Sequence, residues 1–135
     1  GDRGWAKAML LDWQGAIADS SEAIPLDPAN PSVYRHRGFG RSQNGDLTGA
    51  AADYTKALNH RPNDPDLYLM RAEARARLSD DRGALEDLDK VIATTPDSAR
   101  AYHLRAELRR KSGDGLGAKE DLDLAARLDG RARRP

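Results

Sequence analysis

The hydrophobic positions of the chain recur at three- and four-residue spacing, in segments separated by Pro, Gly, Asn and Asp. This spacing predicts amphipathic helices, and no segment has the strict alternation typical of a half-buried strand. One segment covers residues 32–43, and Asn44-Gly45 ends it because glycine can take the left-handed conformation at a helix end. A second segment follows Asp46, which can N-cap a helix, and ends before Pro62. The pattern therefore predicts two helices joined by a tight turn.

This helix pair recurs every 34 residues along the chain. A period of this length indicates stacked units, none of which can bury its apolar face alone. We therefore predict an all-α helix–turn–helix solenoid of about eight antiparallel helices, the first of them truncated. The solenoid domain is expected to cover residues 1–130, and the basic tail, 131–135, is expected to be disordered. The predicted repeats are 1–30 (partial), 31–64, 65–98 and 99–130.

The first repeat differs from the others in its sequence. Arg3 lies in a column of repeating arginines, so the chain begins in mid-pattern and its first helix is expected to be truncated. Asp12 lies in the column of Asp46 and is expected to cap the second helix. Pro25 lacks a backbone donor and is expected to end or kink that helix near Ala23.

The charges of the chain are balanced, with 22 Lys and Arg against 22 Asp and Glu. Such a chain has no bulk attraction to nucleic acid or to an anionic membrane, so neither is predicted as a partner. The absence of cysteine excludes disulfides, thiolate metal ligands and cysteine nucleophiles. No apolar run reaches the roughly 20 residues needed to span a bilayer, and no signal-peptide pattern opens the sequence. The chain is therefore predicted to be soluble, with a cytoplasmic location favoured.

Small, aromatic and proline residues occupy fixed places in each repeat. These places hold Tyr34, Gly38, Ala50, Tyr54, Ala57 and Pro62, and in the next repeat Tyr68, Ala72, Ala84, Leu88, Val91 and Pro96. The arrangement resembles the tetratricopeptide repeat, a 34-residue helix pair with the same order of aromatic, small and proline positions. The leucine of the family pattern is replaced by arginine throughout. The resemblance implies a right-handed superhelix whose first helices line a concave groove that holds a partner peptide.

Arginine and aspartate form two columns that stand 16 residues apart in every repeat. In a helix hairpin this spacing can place the side chains opposite each other, and guanidinium and carboxylate can bond bidentately. We therefore predict structural ion pairs between Arg3 and Asp19, Arg37 and Asp53, Arg71 and Asp87, and Arg105 and Asp121. A basic ladder for phosphates is the alternative. A second basic column, expected to be solvated or to pair with acids of neighbouring repeats, contains Lys7, Arg41, Arg75 and Arg109.

By the resemblance, the exposed side of the first helix of each repeat lines the groove. The predicted groove residues are Arg35, His36, Phe39, Gln43, Leu69, Met70, Glu73, Arg77, Arg100, His103, Leu104, Glu107 and Lys111. The apolar members are Phe39, Leu69, Met70 and Leu104, and the repeat pattern is expected to leave them unburied. An apolar patch with a charged rim commonly marks a binding site. Arg35, Arg100 and Lys111 are expected to meet acidic residues of the bound segment, unless further repeats or the curvature of the solenoid cover the groove.

The residues do not indicate an enzyme. The segment 113–119, GDGLGAK, follows a helix and not a strand, unlike a phosphate-binding loop. The three histidines lack metal-site spacing, and no Ser–His–Asp arrangement is indicated. We predict a non-enzymatic scaffold, without catalytic residues, metal or cofactor, that binds a partner protein or peptide in the groove. The alternatives are weak self-association through a solenoid end around Trp5, Met9 and Trp13, or a regulatory module of a larger protein.

Overall fold

A computed structural model of the chain describes residues 2–133, with side chains for residues 12–131. The described residues form seven α-helices and no strand, which confirms the all-α prediction. The chain divides into two compact units, unit 1 (Gly1–Leu67) and unit 2 (Tyr68–Pro135). The helices are α1 (Asp2–Ala23), α2 (Pro31–Gln43), α3 (Leu47–His60), α4 (Pro65–Arg77), α5 (Asp81–Thr94), α6 (Ala99–Lys111) and α7 (Gly115–Arg133).

Aspartate caps the second helix of each of the three helix pairs from α2 to α7. Its Oδ1 accepts a hydrogen bond from the backbone N–H three residues on, at 2.9 to 3.1 Å, in the pairs Asp46–Gly49, Asp80–Gly83 and Asp114–Gly117. The residue before each cap has a positive φ: 89° at Gly45, 64° at Ser79 and 91° at Gly113. The predicted cap at Asp46 and the predicted left-handed turn at Gly45 are therefore confirmed.

The first repeat does not form the predicted helix pair, because α1 runs through Asp12 without a turn. The turn position, which holds Gly45 in the next repeat, holds Leu11 here. Leucine is a strong helix former and takes the left-handed conformation only at a cost, so the helix continues. The expectation of a cap at Asp12 and of about eight helices is wrong: the described residues contain seven. As predicted, this helix ends at Ala23, just before Pro25.

Close contacts between helices shape unit 1. A β-carbon built at Gly38 of α2 would lie 2.7 Å from the Tyr54 ring of α3, and one at Gly40 would lie 3.1 Å from Ile17 of α1. Glycine at these two positions lets α2 approach both neighbours. The buried apolar residues of α2 and α3 are Tyr34, Ala50, Tyr54, Ala57 and Leu58.

One hydrophobic cluster joins α4, α5 and α6 in unit 2. Its buried members are Ala72, Ala84, Leu88, Val91, Ala101, Leu104 and Leu108. Ala72 and Leu88 occupy the positions that Gly38 and Tyr54 hold one repeat earlier. The larger Tyr54 is combined with the smaller Gly38, and the smaller Leu88 with the larger Ala72. The combined volume of the two side chains therefore changes little between the two units.

The last helix, α7, packs against α6 and buries Ala118 and Ala125. It extends to Arg133, three residues into the segment 131–135 for which disorder is expected. None of the described helices combines the length and the apolar character that a membrane span requires.

Candidate functional site

A buried carboxylate links the two helices of each of these three pairs. Asp53 of α3 is 1% exposed and accepts two hydrogen bonds from Arg37 of α2, from Nε at 2.9 Å and from Nη2 at 2.8 Å. Arg41, one turn further along α2, donates a third bond to Asp53 from Nη1 at 3.0 Å. The fork of Arg37 is thus bidentate, which is the strongest geometry available to a guanidinium and a carboxylate.

The same arrangement recurs twice in unit 2. Asp87 and Asp121 are each 1% exposed and take the place of Asp53. The Arg–Asp N–O distances are between 2.7 and 3.0 Å in the sets Arg71, Arg75, Asp87 and Arg105, Arg109, Asp121. The structure therefore brings together the three predicted pairs whose side chains it describes. In the remaining pair, Asp19 is exposed, while the side chain of Arg3 lies outside the described residues.

The second basic column was only partly understood from the sequence. Arg41 contacts the buried Asp53 of its own helix pair, and its Nε also lies 4.0 Å from Oδ2 of the capping residue, Asp46. The expectation that this column is solvated, or pairs with acids of neighbouring repeats, is therefore wrong for Arg41, Arg75 and Arg109. The side chain of Lys7 lies outside the described residues. The missed signal is that Arg41 stands 12 residues before Asp53 and that this spacing recurs in each later repeat.

Two arginines and two aspartates thus form a set that we call the Arg–Asp tetrad. The three tetrads are Arg37–Arg41–Asp46–Asp53, Arg71–Arg75–Asp80–Asp87 and Arg105–Arg109–Asp114–Asp121. Each tetrad has two charges of either sign and is neutral. This balance supports a structural role and not a basic ladder for phosphates.

The capping aspartates explain the glycine that opens each second helix. A β-carbon at Gly83 would lie 2.9 Å from Cγ of Asp80, whose carboxylate accepts from the Gly83 N–H. The same contact occurs at Gly49 and Gly117, whereas a β-carbon at Gly15 would meet nothing within 4 Å. Gly15 lies inside α1, where no aspartate caps a helix, so the close approach of glycine to a carboxylate occurs only where the cap exists.

The tetrads also affect the charged state of their arginines. The hydrogen bond to Asp53 raises the pKa of Arg37, and the hydrogen bond to Asp121 does so for Arg105, although burial opposes both shifts. A raised pKa in the folded state means that the stabilisation is fully present below the ordinary pKa of arginine and is lost only at higher pH. The guanidinium groups of Arg37 and Arg105 also lie 5.9 and 5.5 Å from the rings of Tyr34 and Tyr102, within cation–π range.

The predicted groove residues of unit 1 lie on α2. His36, Phe39 and Gln43 are exposed, and Arg35 is partly buried. Phe39 is 42% exposed and packs edge-on against Trp13 of α1, with ring centroids 5.4 Å apart. Trp13 is therefore an aromatic neighbour of this face, a contact that the repeat pattern of the sequence does not predict. The side chains of Trp5 and Met9, which were assigned to the same end, lie outside the described residues.

The predicted groove residues of unit 2 lie on α4 and α6. Leu69 and Met70 are partly buried, Leu69 packs against the hydrophobic cluster, and Arg77 is exposed. Leu104 is 7% exposed, so the expectation that it is left unburied is wrong. It belongs to the cluster with Leu88, because α6 turns this position toward α4 and α5.

The basic groove residues of α6 already contact acids within unit 2. Arg100 donates from Nε to Oε1 of Glu73 on α4 at 3.0 Å. Lys111 lies 3.5 Å from Asp81 of α5, and His103 lies 3.4 Å from Asp129 of α7. Glu107 is exposed. The face of α4 and α6 therefore presents mixed charges and not a set of free cations.

A family model described as a tetratricopeptide repeat matches residues 42–108. Over this segment, about half of its length, the chain belongs to the tetratricopeptide repeat family. This family is generally a non-enzymatic scaffold for protein interactions. Within the described residues, no group of His, Cys, Asp or Glu is arranged to hold a metal ion.

Solved structures share this fold. A crystal structure of MamA is 20% identical with a TM-score of 0.84, over 95% of this chain and 73% of that chain. Another crystal structure of the MamA protein is 18% identical with a TM-score of 0.82, and this chain spans only 65% of the length of that chain. The first TPR of Spaghetti (RPAP3), bound to the HSP90 peptide SRMEEVD, is 26% identical with a TM-score of 0.72, covering 75% of this chain and 80% of that chain. The TPR2B domain of yeast Sti1, in a pHsp70 complex, is 29% identical with a TM-score of 0.71, covering 75% of this chain and 81% of that chain. No curated protein matches the sequence significantly.

Proposed function

We propose that this tetratricopeptide repeat chain is a non-enzymatic scaffold and binds a segment of a partner protein on the faces of its first helices. One face is on α2 in unit 1, and the other is on α4 and α6 in unit 2. The observation that carries the proposal is the contrast between two sets of positions. The positions that repeat build the tetrads and the core, whereas the exposed positions of the first helices change from repeat to repeat.

The unit 2 face has the composition of a peptide-binding surface. Leu69 and Met70 remain partly accessible, and Glu73, Arg77 and Arg100 surround them with charge. Methionine adapts to irregular partners because its side chain is flexible and polarizable. The face therefore suits a segment with an apolar anchor and flanking polar residues. The Spaghetti (RPAP3) and yeast Sti1 structures support peptide recognition by this fold.

The test is a selection of peptides from a random displayed library on the immobilised protein, followed by affinity measurement. We expect Met70→Glu to lower the affinity for the selected peptides by about tenfold or more, since it places a charge where the apolar anchor binds. Because Met70 is partly buried, the exposed Arg77→Glu is measured beside it, and circular dichroism checks that each variant folds.

The matched control is Leu116→Glu, which changes a leucine that is 80% exposed at the start of α7, a helix that is not part of the proposed face. Its affinity is expected to stay within about twofold of the parent, as an exposed change far from the contact should. Equal affinities for parent, Met70→Glu and Arg77→Glu would refute binding at this face.

A further inference from the structure

One face of α1, which we call the Asp19 face, is uncovered where the later repeats cover it. Asp19 is exposed, whereas the three aspartates that hold its place in α3, α5 and α7 are each 1% exposed. Ala16, one turn before Asp19, is partly buried, while its counterpart Ala50 in α3 is 0% exposed. The Asp19 face is therefore the surface on which the first helix of each later pair packs, and here it meets solvent.

The contact between α1 and α2 does not cover the Asp19 face. Successive residues of a helix are rotated by about 100°, so Asp19 lies on the opposite side of α1 from Ile17 and Ser21. Both of those residues contact α2: Ser21 Oγ accepts a hydrogen bond from Arg37 Nη1 at 3.3 Å, and Ile17 lies against Gly40. Among the residues whose side chains are described, none forms an ion pair with Asp19.

The later repeats show which kind of helix covers such a face. Asp53 of α3 accepts hydrogen bonds from Arg37 and Arg41, two cations one turn apart on α2, at 2.8 to 3.0 Å. Gly38, next to the first of these arginines, lets the two helices approach closely. The covering helix thus brings two cations and a small residue, because a carboxylate that loses water is stable only with its counter-charges.

The first half of α1 has this pattern in its own sequence. Arg3, Gly4 and Lys7 occupy the columns of the two arginines and the glycine of α2. They cannot serve Asp19 of the same chain, because α1 is one continuous helix. The 16 residues from position 3 to position 19 span about 24 Å of it, far beyond the reach of an arginine side chain. One chain thus contains both parts of a fourth ionic contact, and its straight helix holds them apart.

We propose that a second copy of this chain covers the Asp19 face with the first half of its own α1, so that its Arg3 and Lys7 pair with Asp19. This contact uses neither α2 nor α4 and α6, so the inference goes beyond the proposed function. Positions 3 and 19 lie about 160° apart around a straight helix. Each copy therefore binds one neighbour through its first half and another through its Asp19 face, and the association is head-to-tail.

Sedimentation velocity of the full chain at a series of concentrations measures this association. We expect the parent to form species that grow with concentration. Asp19→Arg should lower the association constant by about tenfold or more, because it places a third cation against Arg3 and Lys7. The double variant Arg3→Glu, Lys7→Glu should have the same effect, since it places two acids against Asp19. Circular dichroism checks that each variant keeps its helices.

Mixing the two variants tests the contact itself. Each variant alone repels its own copies, but the unchanged Arg3 and Lys7 of one variant can meet the unchanged Asp19 of the other. The mixture should therefore associate with at least about a tenth of the parent's association constant, well above either variant alone. A general loss of folding or solubility would not be reversed by mixing. A mixture that fails to associate would overturn the inference.

The matched control is Asp123→Arg, which makes the same change of charge at an exposed aspartate of α7. It should change the association constant by less than about twofold, because a surface charge outside the contact is screened by salt. Equal losses in Asp19→Arg and Asp123→Arg would contradict the assignment to the Asp19 face. A parent that stays monomeric at every concentration would exclude a second copy as the occupant, whereas the peptide selection tests the proposed function separately.

Discussion

Single positions differ in how strictly the repeat determines the residue type, and the turn between the two helices of a repeat is one of the variable positions. Ser79 occupies the turn position between α4 and α5 with a φ of 64°, where Gly45 and Gly113 stand in the equivalent turns. A residue with a β-carbon takes this conformation at a cost of about 1 kcal/mol. Ser79 is thus a strained position.

Ser79→Gly is expected to stabilise the protein by roughly 0.5 to 1 kcal/mol, because glycine relieves the strain while raising the entropy of the unfolded chain. Urea denaturation monitored by circular dichroism measures the change. The control is Ser112→Gly, at a position with φ of −85° whose hydroxyl donates to the Arg109 carbonyl. Ser112→Gly relieves no backbone strain and removes this hydrogen bond, so it should lower the free energy of unfolding. If both variants lose stability, Ser79 is not strained.

The sequence predicts the ends of the elements well wherever a residue has a single local function. Asp46 and Gly45 are examples, because a cap and a left-handed turn depend on neighbouring backbone alone. Alignment by column failed in α1 since it gave Asp12 the function of Asp46 and disregarded Leu11 in the turn position. Leu11 at the turn position is visible in the sequence, but its effect on the helix depends on the backbone conformation that the turn requires.

Pairs of elements depend on facing side chains, and the repeats contain two solutions for one contact. Gly38 faces Tyr54 between α2 and α3, while Ala72 and Leu88 hold these places between α4 and α5. Both columns are visible in the sequence, but the sequence does not show that the smaller residue, Gly38, faces the larger ring, Tyr54. That relation requires the distance between the two helices.

We expect Gly38→Ala to destabilise the protein by about 1 to 3 kcal/mol, because its methyl group would overlap the Tyr54 ring. Tyr54→Leu should also destabilise, since it leaves a cavity. The double variant copies the unit 2 pair and should be more stable than the sum of the two changes predicts, with a coupling of at least about 0.5 kcal/mol. Chemical denaturation of the four proteins gives this coupling, and strict additivity would contradict the explanation.

The face that we propose for binding is less predictable than the helices. Phe39 remains exposed, but Leu104 is buried because residues from three helices meet around it. Arg100 was expected to be available to a partner, and Glu73 already holds it. Exposure and ion pairing depend on the distances between helices from different repeats, which the period of one sequence does not contain.

At the scale of the whole molecule, the tetrads place six arginines against six aspartates, of which three are almost fully buried. The core between paired helices is therefore partly ionic. Removing one partner of a buried pair leaves an uncompensated charge, which usually destabilises more than the intact pair stabilises.

Asp87→Asn is expected to reduce the free energy of unfolding by about 3 kcal/mol, because Arg71 and Arg75 would both lose their buried counter-charge. Asp123→Asn provides the control, since Asp123 is exposed and should change stability by less than about 0.5 kcal/mol. Urea denaturation at two salt concentrations measures the free energy of unfolding of the parent and of both variants. Similar losses in the two variants would argue against a structural role for the tetrads.

The neutrality of the tetrads has a consequence for the length of the repeat array. Each tetrad brings its own counter-ions, all within one 34-residue repeat, so this ionic core adds zero to a net charge that is itself zero. Duplicating or deleting a repeat would leave that contribution at zero, so any change in the long-range field that controls colloidal behaviour would come from charges outside the tetrads. The number of repeats can thus change while the buried carboxylate in each new helix pair still finds its cations in that same pair.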